Sequence, residues 1–256
     1  TPLYSSAASD VYKRQPFVFG ALLMLVALAI AVAFVKEPER VTAEKEDTGA
    51  GVISNLKAVW RAPDKSGVFI LLAILFWFMA FNAVETGLSS FAVFTLGMSP
   101  GRASLYTTLF AATLILFAVP SGLIATRIGR RPTILIGLTG LIVLFLAGFL
   151  FVRNEMLFAA LLVLSGASWA LVNINSLPMV YDVGDERRIG AFTGLYYLSS
   201  QAAAVLGPTL AGILVGAAGS QPRMTFLFST VFMVLAWLAM SRVHPHVGAA
   251  ESQVKT

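Results

Sequence analysis

Long apolar runs alternate with short polar breaks along most of the chain. A bilayer core about 30 Å thick is crossed by an α-helix of about 20 apolar residues, and the sequence contains seven runs of about that length or more. They lie at about residues 16–35, 67–96, 103–125, 133–152, 156–181, 190–217 and 223–241. The pattern predicts an all-α membrane protein with seven transmembrane helices.

The polar breaks separate the first span from the other six. Residues 36–66 form a long charged linker, whereas each later break has about ten residues or fewer. Short connections make successive helices antiparallel neighbours. We therefore expect residues 16–35 to form a lone helix and residues 67–243 to form a six-helix bundle, followed by a tail at residues 244–256.

The linker contains a shorter apolar pattern of its own. Ile53, Leu56, Val59 and Trp60 recur at helical spacing before Pro63, which predicts a short amphipathic helix. A helix of this kind suits the surface of a membrane. The alternative is a linker helix that packs on the ends of the spans.

Residues 1–15 do not share the register of the spans. They have no hydrophobic periodicity, and their last six residues, DVYKRQ, resemble a string that arises when sequencing-adapter reads are translated. We expect residues 1–15 to be a non-native leader. The alternative is a polar loop that leads into the first span.

Composition supports the membrane class. Apolar residues make up 57% of the chain and charged residues 12%, and the mean hydropathy is +0.82; soluble proteins have about 25% charged residues. The net charge of +5 would also suit a nucleic-acid-binding protein. The basic residues, however, lie at the ends of spans and not in one patch with stacking aromatic residues, so we expect no nucleic-acid partner.

The distribution of basic residues predicts the orientation, because cytoplasmic loops of membrane proteins are enriched in Lys and Arg. If the turn that contains Arg127 is cytoplasmic, thirteen of the 18 basic residues lie on that side, and three, Arg102, Arg153 and Arg223, lie on the other. The remaining two lie in the leader. We therefore expect a cytoplasmic C-terminus.

Sequence motifs for enzymatic chemistry are absent. The chain has no Walker loop, no dinucleotide-binding glycine pattern and no HExxH motif. It contains no cysteine, and its two histidines, His244 and His246, lie in the tail without a partner in the sequence. We predict a protein that is not an enzyme and has no cofactor and no metal site.

One acidic residue lies well inside an apolar run. Glu85 is costly there unless it is paired, neutral or hydrated, and Asn82 and Ser89 lie on the same helical face. This face presents an amide, a carboxylate and a hydroxyl group. It favours a ligand-binding or proton-carrying role for Glu85 and Asn82. The alternatives are a structural acid bonded to a neighbouring helix and an acid near enough the outer interface to reach water.

Polar and aromatic residues also share faces on two later spans. Trp169, Asn173 and Ser176 lie at helical spacing on one span, and Tyr197 and Gln201 lie one turn apart on the next. An aromatic ring packs against the C–H face of a sugar, while amides and hydroxyls bind its hydroxyl groups. These residues are therefore candidates for a sugar site, although polar residues also hold membrane helices together.

Two charged turns lie on the predicted cytoplasmic side. One carries Arg127, Arg130 and Arg131, and the other begins at Asp182 and continues through residues 185–188. An ion pair between Asp182 and one of these arginines could form a gate. A solvated run of charges is the alternative.

The first of these turns resembles a known family signature. Gly122, Arg127, Gly129, Arg130 and Arg131 follow the major facilitator pattern of Gly, three residues, Asp, Arg, one residue, Gly, Arg, Arg, with Thr126 in place of the Asp. One span, a linker and six spans also resemble the sixth helix, central loop and C-terminal half of such a transporter. The resemblance implies a missing N-terminal half as partner, and Thr126 puts the usual charge relay in doubt.

A narrower resemblance covers the later spans. The stretch 168–212, with Pro178, Met179 and Asp182 and the segment IGAFTGLYY at 189–197, is similar to the glycoside-pentoside-hexuronide/cation symporters and the sucrose-proton symporter type. Residues 81–96 add to it. The resemblance implies symport of a sugar, such as sucrose, maltose or another glycoside, with a proton as coupling ion.

Two other functions fit the same spans. One is a drug or metabolite exporter of the same fold, and the other is a membrane scaffold that transports nothing. For the symporter we expect a location in the lipid bilayer of a bacterial inner membrane. We also expect no transport by the isolated chain, because five helices of a complete transporter would be missing.

Overall fold

A computed structural model describes residues 3–34, 51–184 and 189–244. The chain forms two compact units, with the boundary between Gly49 and Ala50. The first unit contains helix α1 (Leu3–Phe34), whose part Phe17–Phe34 is long and apolar enough to cross a membrane. Helix α1 therefore includes most of the stretch 1–15, whose non-native origin stays a prediction.

The second unit contains a short helix and six long ones. The short helix is α2 (Val52–Arg61). The long ones are α3 (Ser66–Ser90), α4 (Pro100–Ile128), α5 (Arg130–Leu150), α6 (Glu155–Val183), α7 (Ile189–Ala217) and α8 (Met224–Ser241). With α1, the described residues hold seven helices long and apolar enough to span a bilayer. The predicted all-α membrane architecture is thereby confirmed.

The helices begin and end at residues suited to those positions. Helix α4 starts with Pro100, whose missing N–H is not needed in a first turn, and the side chain of Asn154 caps α6 by accepting a hydrogen bond from the Leu157 N–H, 2.9 Å away. Gly129, with φ of 90°, ends α4 and turns the chain directly into α5. The end of the bundle that carries Gly129 is called the inner end below, after the expected orientation.

A π-turn extends helix α3 at the outer end. Residues Phe91–Thr95 continue the helix with wider turns, and the Leu96 N–H donates to the Phe91 carbonyl, five residues earlier, over 3.3 Å. Gly97 then leaves the helix with φ of 69°. Phe91 and Ala92 are buried, so the π-turn is part of the packed core.

Helix α3 lies between α7 and α8, and α6 lies between α4 and α5. The largest fully buried side chains are aromatic, among them Trp77, Phe91 and Phe158. Helix α7 approaches α3 closely at Gly207, where a Cβ atom would lie 2.4 Å from the Met79 carbonyl oxygen. The outward faces of α4 and α7 remain largely exposed.

Candidate functional site

Helix α3 carries Glu85, the one acidic side chain of the described bundle that lies more than a turn from both ends of its span. Glu85 is exposed, and its carboxylate has no hydrogen-bond or ion-pair partner among the described residues. Asn82 lies one turn earlier and donates from Nδ2 to the carbonyl of Phe78 in its own helix, over 2.7 Å. The carboxylate is therefore free to bind an external group, whereas the amide is partly engaged.

An aromatic cluster lies one turn from Glu85 and joins four helices. Its members are Phe78 and Phe81 of α3, Phe110 of α4, Trp169 of α6 and Tyr196 of α7. Phe81 stacks on Trp169 with the ring planes 1° from parallel and the ring centres 4.0 Å apart. Trp169 is only 2% exposed, so its ring is not open to a ligand in this structure.

Ser176 is also buried. Its hydroxyl donates to the carbonyl of Asn173 over 2.8 Å and is 3.0 Å from the hydroxyl of Tyr196. Ser176 is fully buried and Asn173 is partly buried. The hydrogen bond between Ser176 and Tyr196 therefore fixes α6 against α7, and of the two predicted α6 polar residues Asn173 is the more accessible.

The two predicted residues of α7 are on the exposed face. Tyr197 is 52% exposed and its ring contacts Tyr196 edge-on, with the ring centres 5.3 Å apart. Gln201 follows one turn later and is also exposed. Among the polar residues of this helix segment, Tyr197 and Gln201 are available to a ligand, whereas Tyr196 and Ser200 are buried.

A small cavity lies inside the bundle beside the aromatic cluster. Its volume is about 30 Å³, far below the roughly 300–1,000 Å³ of small-molecule sites. Phe81, Phe110 and Glu85 are among the residues that line it. A metabolite does not fit there. Of the predicted site residues, Glu85, Tyr197 and Gln201 are exposed and Asn173 is partly exposed, so these four are accessible in the structure.

At the inner end, the structure contains one ion pair of the kind expected from the sequence. Arg130, at the start of α5, pairs with Asp182, near the end of α6. Arg131 donates to the carbonyl of Ser241 at the end of α8, where the negative end of the helix dipole favours a cation. The two arginines therefore connect α5 to two different helices.

The other signature residues make fewer contacts. Arg127 is exposed, and space is open around Gly122. Thr126, at the position of the signature acid, donates to the Leu123 carbonyl of its own helix over 2.8 Å. The run at residues 185–188 lies outside the described residues. The ion pair at the inner end is thus the one between Arg130 and Asp182.

Two further polar contacts join helices. The Asn175 amide donates to the hydroxyl of Ser121 over 2.9 Å, and that hydroxyl donates to the Ala170 carbonyl, which links α4 to α6. At the outer end, Arg102 pairs with Glu155. Opposite charges in two breaks on the side with few charges were the available signal for the second contact.

The outer ion pair includes a third group. The hydroxyl of Tyr106 donates to Glu155 over 3.1 Å. Glu155 and Asp182 lie at opposite ends of α6, so this helix is fixed by an ion pair at each end.

Comparisons with known proteins identify relatives by sequence. The Major Facilitator Superfamily model matches residues 91–255. A protein named MFS-type transporter ppzB from Metarhizium majus (strain ARSEF 297) is 35% identical over 117 residues, which are 43% of this chain and 25% of that protein. Its namesake from Metarhizium rileyi (strain RCEF 4871) is 31% identical over 137 residues, which are 52% of this chain and 26% of that protein.

Solved structures provide a fold comparison. The E. coli fucose:proton symporter FucP matches with a TM-score of 0.70 for a single-residue variant, at 18% identity, over 96% of this chain and 59% of FucP. FucP in the outward conformation matches with a TM-score of 0.69. At this identity the likeness is one of fold. The chain spans about a quarter of the length of the curated relatives and three fifths of FucP.

Proposed function

The chain belongs to the Major Facilitator Superfamily, and from that premise we propose that it is the C-terminal part of a secondary transporter that carries a sugar together with a proton. Proteins of this family are membrane carriers for small molecules and not enzymes. The proposed mechanism is alternating access, in which two helix bundles move about a site near the middle of the membrane. In this proposal the other bundle is an N-terminal half like that of complete transporters of the family.

Glu85 is the observation that carries the proposal. A carboxylate without a partner inside a membrane span is costly, and such residues mark ion and proton pathways. Protonation removes the charge, and substrate or water beside Glu85 stabilises the ionised form. Glu85 can therefore hold a proton during one half of the transport cycle and release it in the other.

The accessible polar residues of α6 and α7 have the groups that a sugar requires. Asn173, Tyr197 and Gln201 provide amides and a hydroxyl for hydrogen bonds to sugar hydroxyls, and Tyr197 also provides an aromatic ring. Asn82 lies beside Glu85 on the same helix. Trp169 and Ser176 take supporting roles, because Phe81 stacks on one and Tyr196 contacts the other.

The substrate class and the setting of the transporter are part of the proposal. The similarity of residues 168–212 to the glycoside-pentoside-hexuronide/cation and sucrose-proton symporters supports sucrose, maltose or another glycoside. The excess of basic residues at the inner end supports a cytoplasmic C-terminus. We place the transporter in a bacterial inner membrane and assign a gating role to the Arg130–Asp182 pair.

The test is proton-coupled uptake by the longer transporter that contains this chain, reconstituted in proteoliposomes. A panel of glycosides and monosaccharides is added, fucose included because the structurally similar FucP is a fucose:proton symporter, and internal pH is followed with a trapped dye. We expect at least one sugar to drive proton movement in the wild type. The matched control is Thr108→Ala, which removes an exposed hydroxyl of α4 that bonds only within its own helix. This variant should transport normally.

The alternatives give different results. A drug or metabolite exporter would expel hydrophobic cations or other metabolites with a proton gradient as the driving force. Addition of sugars would then cause no proton movement. A scaffold would move nothing, and Glu85→Gln would leave its function intact. No sugar-dependent proton movement across the whole panel would reject the symporter.

A further inference from the structure

The short helix α2 leaves an apolar face without a partner among the described residues. Ile53 is 71% exposed, Leu56 45% and Trp60 66%, and their spacing places them together on one side of the helix. Helix α2 has ten residues and is too short to span a bilayer. Its exposed apolar face therefore cannot be explained as the lipid-facing side of a helix that spans the bilayer.

One edge of the apolar face packs against the bundle. Val59 is buried, and one of its methyl carbons lies 3.0 Å from where a Cβ of Gly67 would be. The same glycine faces Phe192 of α7, so α2, α3 and α7 meet there. Gly67 allows this approach because it has no side chain. Helix α2 is thereby held at the inner end of the spans.

The connection from α2 to α3 is short and bonded. Lys65 donates to the Trp60 carbonyl over 2.5 Å, and Asp64 accepts from the N–H and the hydroxyl of Ser66, each over 2.9 Å. These contacts fix α2 within a few residues of the point where α3 begins. Since the ends of spans lie at the membrane interface, this position is the one expected of a helix at headgroup level.

The charges of α2 suit one kind of partner. Lys57 and Arg61 flank the apolar face and are exposed, and the helix contains no acidic residue. Trp is the residue most typical of membrane interfaces, and basic residues beside a membrane surface attract anionic lipids. A protein partner would need acidic groups, whereas an anionic lipid surface supplies both the charge and the apolar layer.

We propose that α2 is an interfacial anchor. Ile53, Leu56 and Trp60 insert among the lipids of the inner leaflet, and Lys57 and Arg61 bind anionic headgroups. Because α2 also contacts α3 and α7, lipid binding holds the inner ends of these two helices at the membrane surface. The inference does not depend on the substrate or on proton coupling.

The absence of cysteine from the sequence makes the test direct. Single cysteines at Ile53→Cys and Leu56→Cys carry a nitroxide label in the otherwise unchanged chain, with Ser54→Cys on the polar side as matched control. The chain is placed in nanodiscs of phosphatidylcholine alone or of phosphatidylcholine with phosphatidylglycerol. Collision of the nitroxide with oxygen reports lipid, and collision with a water-soluble nickel complex reports solvent.

We expect labels at 53 and 56 to favour oxygen and the label at 54 to favour nickel. Phosphatidylglycerol should increase the difference, and Lys57→Gln with Arg61→Gln should remove that increase. Nickel collisions at 53 and 56 equal to those at 54 would overturn the anchor, and so would labels shielded from both reagents, since protein would then cover the face. Equal values in both lipid mixtures would overturn the headgroup assignment.

Discussion

Glu155 and Asp182 lie at the two ends of α6 and are each held by an arginine from a neighbouring helix, whereas Glu85, inside α3, has no partner among the described residues. The first two carboxylates lie where the bundle meets water, and their bonding is complete. The third is in the more apolar part of the membrane, where a counter-charge would matter most. The end carboxylates therefore hold helices together, and the contrast fits the proposal above, in which the charge of Glu85 changes during transport.

The largest effect should come from Glu85→Gln. We expect about a 100-fold loss of proton-coupled uptake by the complete transporter, in line with the contribution of a positioned proton carrier. Exchange of substrate across the membrane, which requires no release of the proton, should continue. The melting temperature should not fall, because no bond to Glu85 is lost. Uptake assays, counterflow assays and thermal melts measure these three quantities.

A normal rate of coupled uptake in Glu85→Gln would break the comparison between the two kinds of carboxylate. So would a large drop in melting temperature, because it would identify Glu85 as a structural residue.

The second effect concerns how Glu85 is held in place without a counter-charge. Its position depends on the packing of α3 against α7, where a Cβ on Gly207 would lie 2.4 Å from the Met79 carbonyl oxygen. Gly207→Ala should therefore destabilise the protein by about 1–3 kcal/mol. Gly212→Ala is the control, because a Cβ at this position of the same helix would have no atom within 4 Å. Equal melting temperatures for the two variants would contradict close packing at Gly207.

The third effect tests the outer ion pair. Glu155→Gln removes the ionic contact with Arg102 and weakens the bond from Tyr106. Since the arginine is largely exposed, we expect a loss of about 1 kcal/mol or less in the free energy of unfolding and no loss of proton coupling. Loss of coupling without loss of stability would place Glu155 in the same functional class as Glu85.

The smallest effect should come from the inner ion pair. A double-mutant cycle with Arg130→Gln and Asp182→Asn should give a coupling energy of about 0.2–1 kcal/mol that decreases with added salt. Arg127→Gln, which removes an exposed arginine of the same turn, is the control and should change stability less. A coupling energy of zero at low salt would show that the pair does not stabilise the protein.

The spans were predictable because a run of about twenty apolar residues is typical of a helix that crosses a bilayer and is rarely found elsewhere. The ends of the helices were less predictable. Helix α4 was expected from about residue 103 but begins at Pro100, because its first three residues, Pro, Gly and Arg, do not belong to the apolar run. The Arg130–Asp182 contact could be anticipated from charge and topology. The Arg102–Glu155 contact joins α4 to α6, which are not consecutive in the chain, and predicting it required knowledge of which helices are neighbours.

The faces of the site residues could not be predicted from the pattern. A span that is apolar all round does not indicate which side packs against the bundle, so Trp169 and Tyr197 look equivalent in the sequence. In the structure one is buried and the other exposed. The burial of Trp169 follows from its stacking with Phe81, a contact between distant segments that only the assembled helices define.

The π-turn at Phe91–Thr95 has a consequence for comparing this chain with others. A hydrogen bond that spans five residues, from Leu96 N–H to the Phe91 carbonyl, contains one residue more than an α-helical turn. A related chain with an ordinary α-helix at this point should align with a one-residue gap between Phe91 and Gly97. Such a gap would reflect the wider turn of the helix and not a difference in the length of the outer loop.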